Sequence, residues 1–310
     1  MGNLADTITG FVWENLSNDA GWNDWRTAKI RVSERLIHSA PVLLDSLAAP
    51  GTGAVDDIRK HCRLANYSLF EVSAPDPTVE SASAAIMGFA RRLGFSMAED
   101  HRSAGAASVV ALATSSEESK KGYIPYTPRP MNWHTDGYYN APDQPVKGFI
   151  LYCFQQAPSG GENRVLDPEI AYLRLRDENP DYVRALMHPA AMTIPENTEP
   201  DGALRPASTG PVFFPDQATG RLQMRYTART RSIAWRDDAA TRAAADWLRH
   251  WLSDGDPLIR KVRLAPGQGI ASNNVLHTRA GFQDGPGGRA RVMLRARFHE
   301  RMAEGLLGAA

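Results

Sequence analysis

The sequence lacks the features that would place it in several common protein classes. It contains two cysteines, Cys62 and Cys153, among 310 residues, which excludes a disulfide framework or a cysteine-rich zinc site. Its 35 basic and 35 acidic side chains cancel, so no whole-protein field would attract nucleic acid or an anionic membrane. No apolar run reaches membrane-spanning length, and no basic segment precedes an apolar one near residue 1. We therefore expect a cytoplasmic protein without nucleic-acid or membrane partners.

Length and composition are those of a globular protein with a sizeable core. Hydrophobic residues make up 43% of the chain and charged residues 23%, which is ordinary for a folded domain. Barrel folds often exceed 200 residues as one unit, so we expect a single domain over residues 1–310. In the first 120 residues, 81–93 have helical periodicity, whereas 69–72 and 109–112 are short and strand-like. This part predicts a mixed α/β outer layer.

Strand signals dominate the second part of the chain, with helix signals among them. Helix signals lie at Asp167-Pro168, Asn179-Pro180 and residues 244–252, and strand signals lie at residues 148–154, 258–264 and 269–299. Each Asx-Pro pair places a capping residue before a proline at the first helical position. Helices inserted among many short strands favour an elaborated β-sandwich or barrel. We predict a mainly β core over residues 121–300 with a helical insert at about 167–255.

One short motif suggests a metal site. His134 and Asp136 are two residues apart, so in a strand their side chains point the same way and can reach one ion. A third ligand must come from elsewhere. His277 is the best candidate among eight histidines, because an arginine-rich strand follows it. Two imidazoles and one carboxylate are the ligand set of mononuclear Fe(II) oxygenases. The alternative is that each is an ordinary polar residue.

Arginines alternate with apolar residues near the end of the chain. Arg289, Arg291, Arg295 and Arg297 share one face of an extended segment whose other face is apolar. The pattern fits a surface strand, which could bind nucleic acid, or a strand that lines a barrel interior. In an interior, an arginine fork could hold a carboxylate by two charge-assisted bonds. Arg291 and Arg295 are about 13 Å apart along a strand, so we expect two separate anchoring roles.

Four motifs, in this order, resemble the taurine dioxygenase (TauD/TfdA) family of Fe(II)/2-oxoglutarate-dependent oxygenases. They are residues 132–136 (Asn-Trp-His-Thr-Asp), 160–163 (Gly-Gly-Glu-Asn), 274–277 (Asn-Val-Leu-His) and 291–295 (Arg-Val-Met-Leu-Arg). The resemblance covers about residues 120–300, and the second motif is also similar to γ-butyrobetaine hydroxylase. It implies a double-stranded β-helix (jelly-roll) core and a dioxygenase that uses Fe(II), 2-oxoglutarate and O₂.

The resemblance also implies roles for individual residues. His134, Asp136 and His277 would bind the iron, and Arg291 and Asn163 would bind 2-oxoglutarate. Halide-inserting relatives need the aspartate position empty, so Asp136 favours hydroxylation over halogenation, with release of succinate and CO₂. Desaturation stays open.

The substrate is less well defined. Arg295 matches a substrate-binding position of the family, and Tyr138, Tyr139 and Arg129 are close in sequence to the metal motif. The two tyrosines could bind a quaternary ammonium by cation–π attraction, or they could only pack. We expect a small anionic or zwitterionic metabolite as substrate, and we leave a homo-oligomer open.

Two other functions are consistent with parts of the sequence. A cupin-like enzyme would bind a metal without using 2-oxoglutarate. A nucleic-acid-binding protein would use the arginine stripe and bind in a salt-dependent way, although the zero net charge argues against it. A further group of arginines is expected to be solvated or paired surface charge: Arg221, Arg225, Arg229 and Arg231.

Overall fold

The computed structural model describes residues 4–17, 19–99, 108–117, 123–198, 202–231, 233–287 and 290–302. The described helices are α1 (Leu4–Thr9), α2 (Asp19–Leu36), α3 (Thr52–Ala65), α4 (Val79–Leu93), α5 (Pro168–Glu178), α6 (Pro180–Leu186) and α7 (Ala239–Asp254). Among them, none combines the length and apolar character needed to span a membrane.

The strands are shorter and more numerous. They are β1 (Val42–Leu44), β2 (Tyr67–Val72), β3 (Val110–Leu112), β4 (Met131–His134), β5 (Gly148–Gln155), β6 (Ser159–Gly160), β7 (Asn163–Leu166), β8 (Met192–Ile194), β9 (Asn197–Thr198), β10 (Leu204–Arg205), β11 (Ser208–Gly210), β12 (Phe213–Pro215), β13 (Leu222–Met224), β14 (Ala234–Trp235), β15 (Arg260–Val262), β16 (Gln268–Ser272), β17 (Leu276–Arg279), β18 (Phe282–Gln283) and β19 (Val292–Phe298). The protein is mainly β with several helices, as the sequence predicted.

Two sheets position the candidate site. The large sheet has the strand order β1-β2-β16-β5-β19-β3, and the small sheet has the order β15-β7-β17-β4. All pairs in both sheets are antiparallel except β1 with β2. Residues 1–120, predicted as an outer layer, supply the first four helices and also β1, β2 and β3 of the large sheet.

Strand β5, in the middle of the large sheet, is buried on both faces, which explains its continuous apolar run. Ile150 and Tyr152 belong to a core cluster with residues of α3 and α4. Phe149 and Leu151 belong to another cluster that contains Val165 of the small sheet. Successive strand residues point to opposite faces. From Phe149 to Phe154 both faces of β5 are therefore packed against other elements, and the usual alternation of apolar and polar residues disappears.

The predicted helix starts are confirmed by their caps. The Asp167 side chain accepts a hydrogen bond from the Glu169 amide, and the Asn179 side chain accepts one from the Asp181 amide, with proline following each cap. Helix α4 begins with a reciprocal capping box between Thr78 and Ser81. Each side-chain acceptor satisfies an amide that has no partner within the helix.

The predicted helical insert is richer in strands than the sequence indicated. Residues 167–255 contain α5, α6 and α7, and they also contain the seven strands from β8 to β14, each of two or three residues. Strands this short give too few alternating positions to reveal a period of two. A core cluster joins α5, α6 and α7 to Trp22 and Trp25 of α2, which anchors this segment to the beginning of the chain.

Strand β19 settles the two interpretations of the arginine stripe. Arg291, just before it, is 5% exposed, and Arg295 and Arg297 within it are 8% and 5% exposed. The alternating apolar residues Leu294, Ala296 and Phe298 pack toward α3 and α4. The surface-strand interpretation is therefore wrong for these three arginines, because their face of the strand is turned inward. Arg289 lies outside the described residues.

Candidate metal centre

His134, Asp136 and His277 come together in the small sheet. His134 ends β4, and His277 of β17 is its direct cross-strand partner, so the two imidazole centroids are 4.2 Å apart. One ligand-type atom from each of the three residues lies within 4.8 Å of the others. Among the described residues these three form a cluster that could hold a metal ion.

Asn274 joins the chain segments that carry these residues. Its side-chain oxygen accepts a hydrogen bond from the Asp136 amide (2.8 Å), and its amide nitrogen donates to the carbonyls of Asp136 (3.0 Å) and Val146 (2.6 Å). Its backbone is left-handed, with φ of 57°, a conformation that asparagine tolerates better than most residues. The first residue of the 274–277 motif is thus a structural clamp between the two ligand-bearing segments.

In each of the two histidines Nδ1 is hydrogen-bonded to a backbone carbonyl, which leaves Nε2 for a metal. The Nδ1 of His134 is 2.8 Å from the Asn132 carbonyl oxygen, and that of His277 is 3.0 Å from the Val275 carbonyl oxygen. Since a carbonyl only accepts, each Nδ1 carries the proton and Nε2 keeps its lone pair. Burial, together with the neighbouring His277, lowers the pKa of His134 to about 3, and burial lowers the pKa of His277. Neutral imidazoles are the form that binds metals.

Asp136 is held as a carboxylate with one oxygen unused. Burial alone would raise its pKa, but the guanidinium groups of Arg295 and Arg297 hold that pKa well below its usual range. Arg295 Nη1 donates to Oδ1 at 2.9 Å, whereas Oδ2 is buried without a hydrogen-bond partner among the described residues. A buried anionic oxygen without a partner is unfavourable in the protein alone. The arrangement fits a divalent cation as the missing partner.

Arg291 and Asn163 line a second, anion-compatible part of the site. Both border one small cavity together with Gly161 and Cys153. The Arg291 guanidinium lies over the Phe282 ring, 5.1 Å from its centroid, and it donates no hydrogen bond to any residue that the structure describes. Burial lowers the pKa of Arg291. A buried guanidinium without a hydrogen-bond partner is complementary to a carboxylate ligand.

The predicted substrate residues have three different environments. The Tyr138 ring is edge-on to His134, with centroids 6.4 Å apart, and also contacts Tyr139. Arg297 Nη1 donates to the Tyr139 hydroxyl at 3.0 Å. Arg295 contacts Asp136 directly. Arg129 is exposed, and its described hydrogen bonds involve only its backbone amide and carbonyl, so its side chain is not part of the cluster.

The sequence did not indicate that Arg225 holds the backbone of Tyr138. Arg225, expected to be surface charge, is buried and donates to the carbonyls of Tyr138 (2.8 Å), Met192 (3.0 Å) and Ser208 (2.8 Å). Arg221 is buried too and pairs with Glu169. The surface-charge expectation is wrong for both, because these guanidiniums satisfy interior acceptors that lie far away in sequence. No local sequence signal distinguishes such residues from exposed arginines.

Glu99, which no motif indicated, holds the Arg297 side chain in place. It forms an ion pair with Arg297 and accepts a hydrogen bond from the Asn140 side chain at 2.7 Å. Beside this support lies a mostly apolar cavity of about 220 Å³, bordered by Asp136, Tyr138 and Arg225 but by neither histidine of the cluster.

A family model matches most of the chain. The model described as taurine catabolism dioxygenase TauD, TfdA family, matches residues 77–297. The chain belongs to this TauD/TfdA family. The resemblance inferred from the four motifs is thereby confirmed, and the match also covers part of the chain before residue 120, where no motif was found.

One relative has a named activity. The chain is 35% identical over 179 residues to a uridine-5'-phosphate dioxygenase from Amycolatopsis sp, a match that covers 54% of this chain and 60% of that enzyme. The aligned part thus spans less than two thirds of the relative's length.

Solved structures share the fold at low sequence identity. An asparagine oxygenase in complex with Fe(II), 2S,3S-3-hydroxyasparagine and succinate has a TM-score of 0.56 at 15% identity, covering 96% of this chain and 92% of that one. The non-heme iron oxygenase OrfP, in complex with Fe and alpha-ketoglutaric acid, has a TM-score of 0.58 at 16% identity, with the same coverage of both chains. At such identities the likeness concerns the fold.

Proposed function

We propose that the protein is an Fe(II)/2-oxoglutarate-dependent dioxygenase that hydroxylates a small anionic or zwitterionic metabolite and releases succinate and CO₂. The observation that carries the proposal is the ionised carboxylate of Asp136, whose Oδ2 has no hydrogen-bond partner among the described residues and lies beside two neutral imidazoles. Membership of the TauD/TfdA family supports the same chemistry.

His134, Asp136 and His277 would hold the iron. When bound, the iron would supply the oxidative chemistry with O₂. The chain contributes two imidazole lone pairs, fixed by the carbonyls of Asn132 and Val275, and one carboxylate held by Arg295. Its other task is to exclude water, and burial of His134 and Asp136 serves that purpose.

Arg291 and Asn163 would bind the far carboxylate of 2-oxoglutarate. The guanidinium is buried with no hydrogen bond to a described residue, and the Asn163 side chain makes only a long contact of 3.4 Å to the Gly161 carbonyl. An anionic ligand would give both groups a partner. Gly161 lies at the same cavity with φ of +79°, and a Cβ there would be 3.4 Å from Arg291 Nε, so glycine keeps the approach open.

The substrate would bind beside Tyr138, Tyr139 and Arg295. Arg295 Nε is buried without a partner among the described residues, so it is available to an anionic group. Relatives support this class: one is named for uridine 5'-phosphate, and a solved OrfP complex contains (3S)-hydroxy-L-Arg with succinate. The first is anionic and the second is an amino acid.

We further propose that the chain forms one oxygenase domain whose two sheets are the two halves of a double-stranded β-helix. The large and small sheets share a core cluster that includes Phe149, Val165, Val275 and Met293. The segment from β8 to β14 would be an elaboration of that core.

Anaerobic titration of the Fe(II) protein with 2-oxoglutarate tests the proposal. Chelation of Fe(II) by the keto acid should produce a new visible absorption band, and Arg291→Gln should shift its appearance to higher 2-oxoglutarate concentration. A cupin-like enzyme would bind the metal and show no such band. Substrates would then be sought among nucleoside 5'-phosphates and amino acids by succinate release, and failure of both classes would remove the substrate assignment alone.

A further inference from the structure

We propose that Arg295 is a positioning residue for the metal ligand Asp136: it occupies Oδ1 and thereby presents only Oδ2 to the metal. The inference rests on the proposed function. It differs from the substrate role that the sequence suggested for Arg295, because it concerns the metal centre before any substrate binds.

The two carboxylate oxygens of Asp136 differ in their contacts. Arg295 Nη1 donates to Asp136 Oδ1 at 2.9 Å, and both side chains are more than nine-tenths buried. Oδ2 has no described partner. Charge-assisted hydrogen bonds to carboxylates are strong and directional, so a metal that took Oδ1 as well would have to displace the guanidinium from a buried position.

One-oxygen binding matters for the number of coordination positions. In a facial site three protein atoms bind the metal and three positions stay open. A keto acid that binds through two oxygens leaves one position for O₂. A carboxylate that bound through both oxygens would remove that position. Arg295 therefore protects the geometry that the proposed reaction requires.

The charge of Arg295 and its proposed positioning role predict opposite effects of its removal on metal affinity. A guanidinium close to the site repels a divalent cation, so removal of its charge should tighten metal binding if Arg295 had no positioning role. If it orients Asp136, its loss should weaken binding, as loss of partners that orient metal ligands commonly does by about 10- to 100-fold. The sign of the change separates the two explanations.

The experiment is an anaerobic titration of the metal-free protein with Co(II), without 2-oxoglutarate or substrate, followed by visible absorption. We expect Arg295→Gln to weaken Co(II) binding at least about tenfold and to change the Co(II) spectrum. Arg291→Gln is the matched control, since it removes a buried arginine from the same strand region that does not contact Asp136. We expect it to bind Co(II) as the wild type does.

Unchanged or tighter Co(II) binding by Arg295→Gln would overturn the inference, and so would equal weakening in Arg291→Gln. If Arg295→Gln does not fold, Arg295→Lys decides. It keeps the charge but not the planar fork, so we expect weaker Co(II) binding, and wild-type affinity would overturn the inference. If wild-type protein gives the 2-oxoglutarate band while the variants bind Co(II) normally, this inference alone fails.

Discussion

Two clusters of buried charge differ in whether their atoms find partners within the protein. The closed cluster consists of Lys29, Asp167, Glu169 and Arg221; the metal cluster consists of His134, Asp136, His277 and Arg295. In the closed cluster the Lys29 ammonium pairs with Asp167 (2.5 Å) and with Glu169, and it donates to the Leu64 carbonyl (2.7 Å). Arg221 occupies the other Glu169 oxygen at 3.0 Å.

The comparison turns on single oxygen atoms. Among the described residues, five carboxylate oxygens are buried without a hydrogen bond, and they belong to Glu99, Asp136, Asp167, Glu169 and Asp216. Four of them have an ion pair with lysine or arginine, and Asp136 Oδ2 does not. An unpaired buried charge is costly. The buried oxygens of the closed cluster avoid this cost through their ion pairs with other residues of the protein. The metal cluster is complete only with a ligand.

Removal of Asp136 should have the largest effect on function. Loss of Arg295, which only orients Asp136, is expected to weaken metal binding at least about tenfold. Loss of the ligand Asp136 itself should weaken metal binding further. We expect Asp136→Ala to lower substrate-dependent succinate formation more than about a hundredfold. Turnover near that of the wild type would contradict the metal assignment. Apo-protein melting should be compared in parallel, so that loss of fold is not mistaken for loss of the ligand.

Removal of Lys29 should instead affect folding and leave the metal cluster intact. Lys29→Met leaves Asp167 and Glu169 without their shared cation, and breaking a buried ion pair from one side costs about 3–5 kcal/mol. Urea unfolding measures this loss. The folded fraction should bind Co(II) with wild-type affinity.

A surface ion pair provides the control for Lys29. Arg26, on the same helix, pairs with Asp177 at 2.8 Å, and its side chain is 38% exposed. Such pairs contribute less than about 1 kcal/mol, so Arg26→Met should have little effect. Equal destabilisation by both variants would mean that the closed cluster has no special role.

The pH dependence of stability should identify Glu169 within the closed cluster. Burial alone would raise its pKa, but Lys29 and Arg221 lower it to about 2. A carboxyl group whose folded pKa lies below its unfolded value stabilises the fold above the unfolded pKa and loses that contribution as pH falls toward the folded value. The difference in unfolding free energy between wild type and Glu169→Gln should therefore be largest near pH 7 and shrink as pH falls from about 5 to about 2. Urea unfolding at pH 7, 5 and 3.5 tests this, and a constant difference would contradict it.

Loss of Arg291 should affect the co-substrate more than the metal. We expect Arg291→Ala to raise the 2-oxoglutarate concentration needed for half-maximal turnover by about tenfold or more, because truncating a buried charged partner costs about 2 kcal/mol or more. Co(II) affinity should change little. An unchanged 2-oxoglutarate requirement would remove Arg291 from this role.

The sequence predicted the parts of the site that depend on local periodicity. The spacing of His134 and Asp136 placed both side chains together by strand alternation, although β4 ends at His134 and Asp136 lies in the turn that follows. The caps at Asp167 and Asn179 are read from adjacent residues. The same alternation indicated that Arg291, Arg295 and Arg297 share a face. Alternation and zero net charge did not determine whether that face was buried, because a surface strand and an interior strand can have the same pattern.

Contacts between distant segments were beyond sequence reasoning. Arg295 and Asp136 are 159 residues apart in the chain, and Arg225 reaches the Tyr138 carbonyl across 87 residues. Asp136 follows β4 and Arg295 lies on β19, and these two strands belong to different sheets, so their contact depends on how the two sheets pack. One sequence without its topology gives no reason to prefer these pairs over others.

The smallest expected effect concerns Tyr139, which the sequence left between packing and substrate binding. Arg297 donates to its hydroxyl oxygen at 3.0 Å, so the hydroxyl's own proton is directed to another acceptor. If that acceptor is the substrate, Tyr139→Phe should raise the substrate KM about two- to tenfold, the value of one hydrogen bond, with kcat unchanged. Tyr182→Phe, at a half-buried tyrosine on α6, should change neither. An unaltered KM in Tyr139→Phe would mean that Tyr139 only packs and supports Arg297. Substrate contacts would then be sought at Arg295 and not at Tyr139.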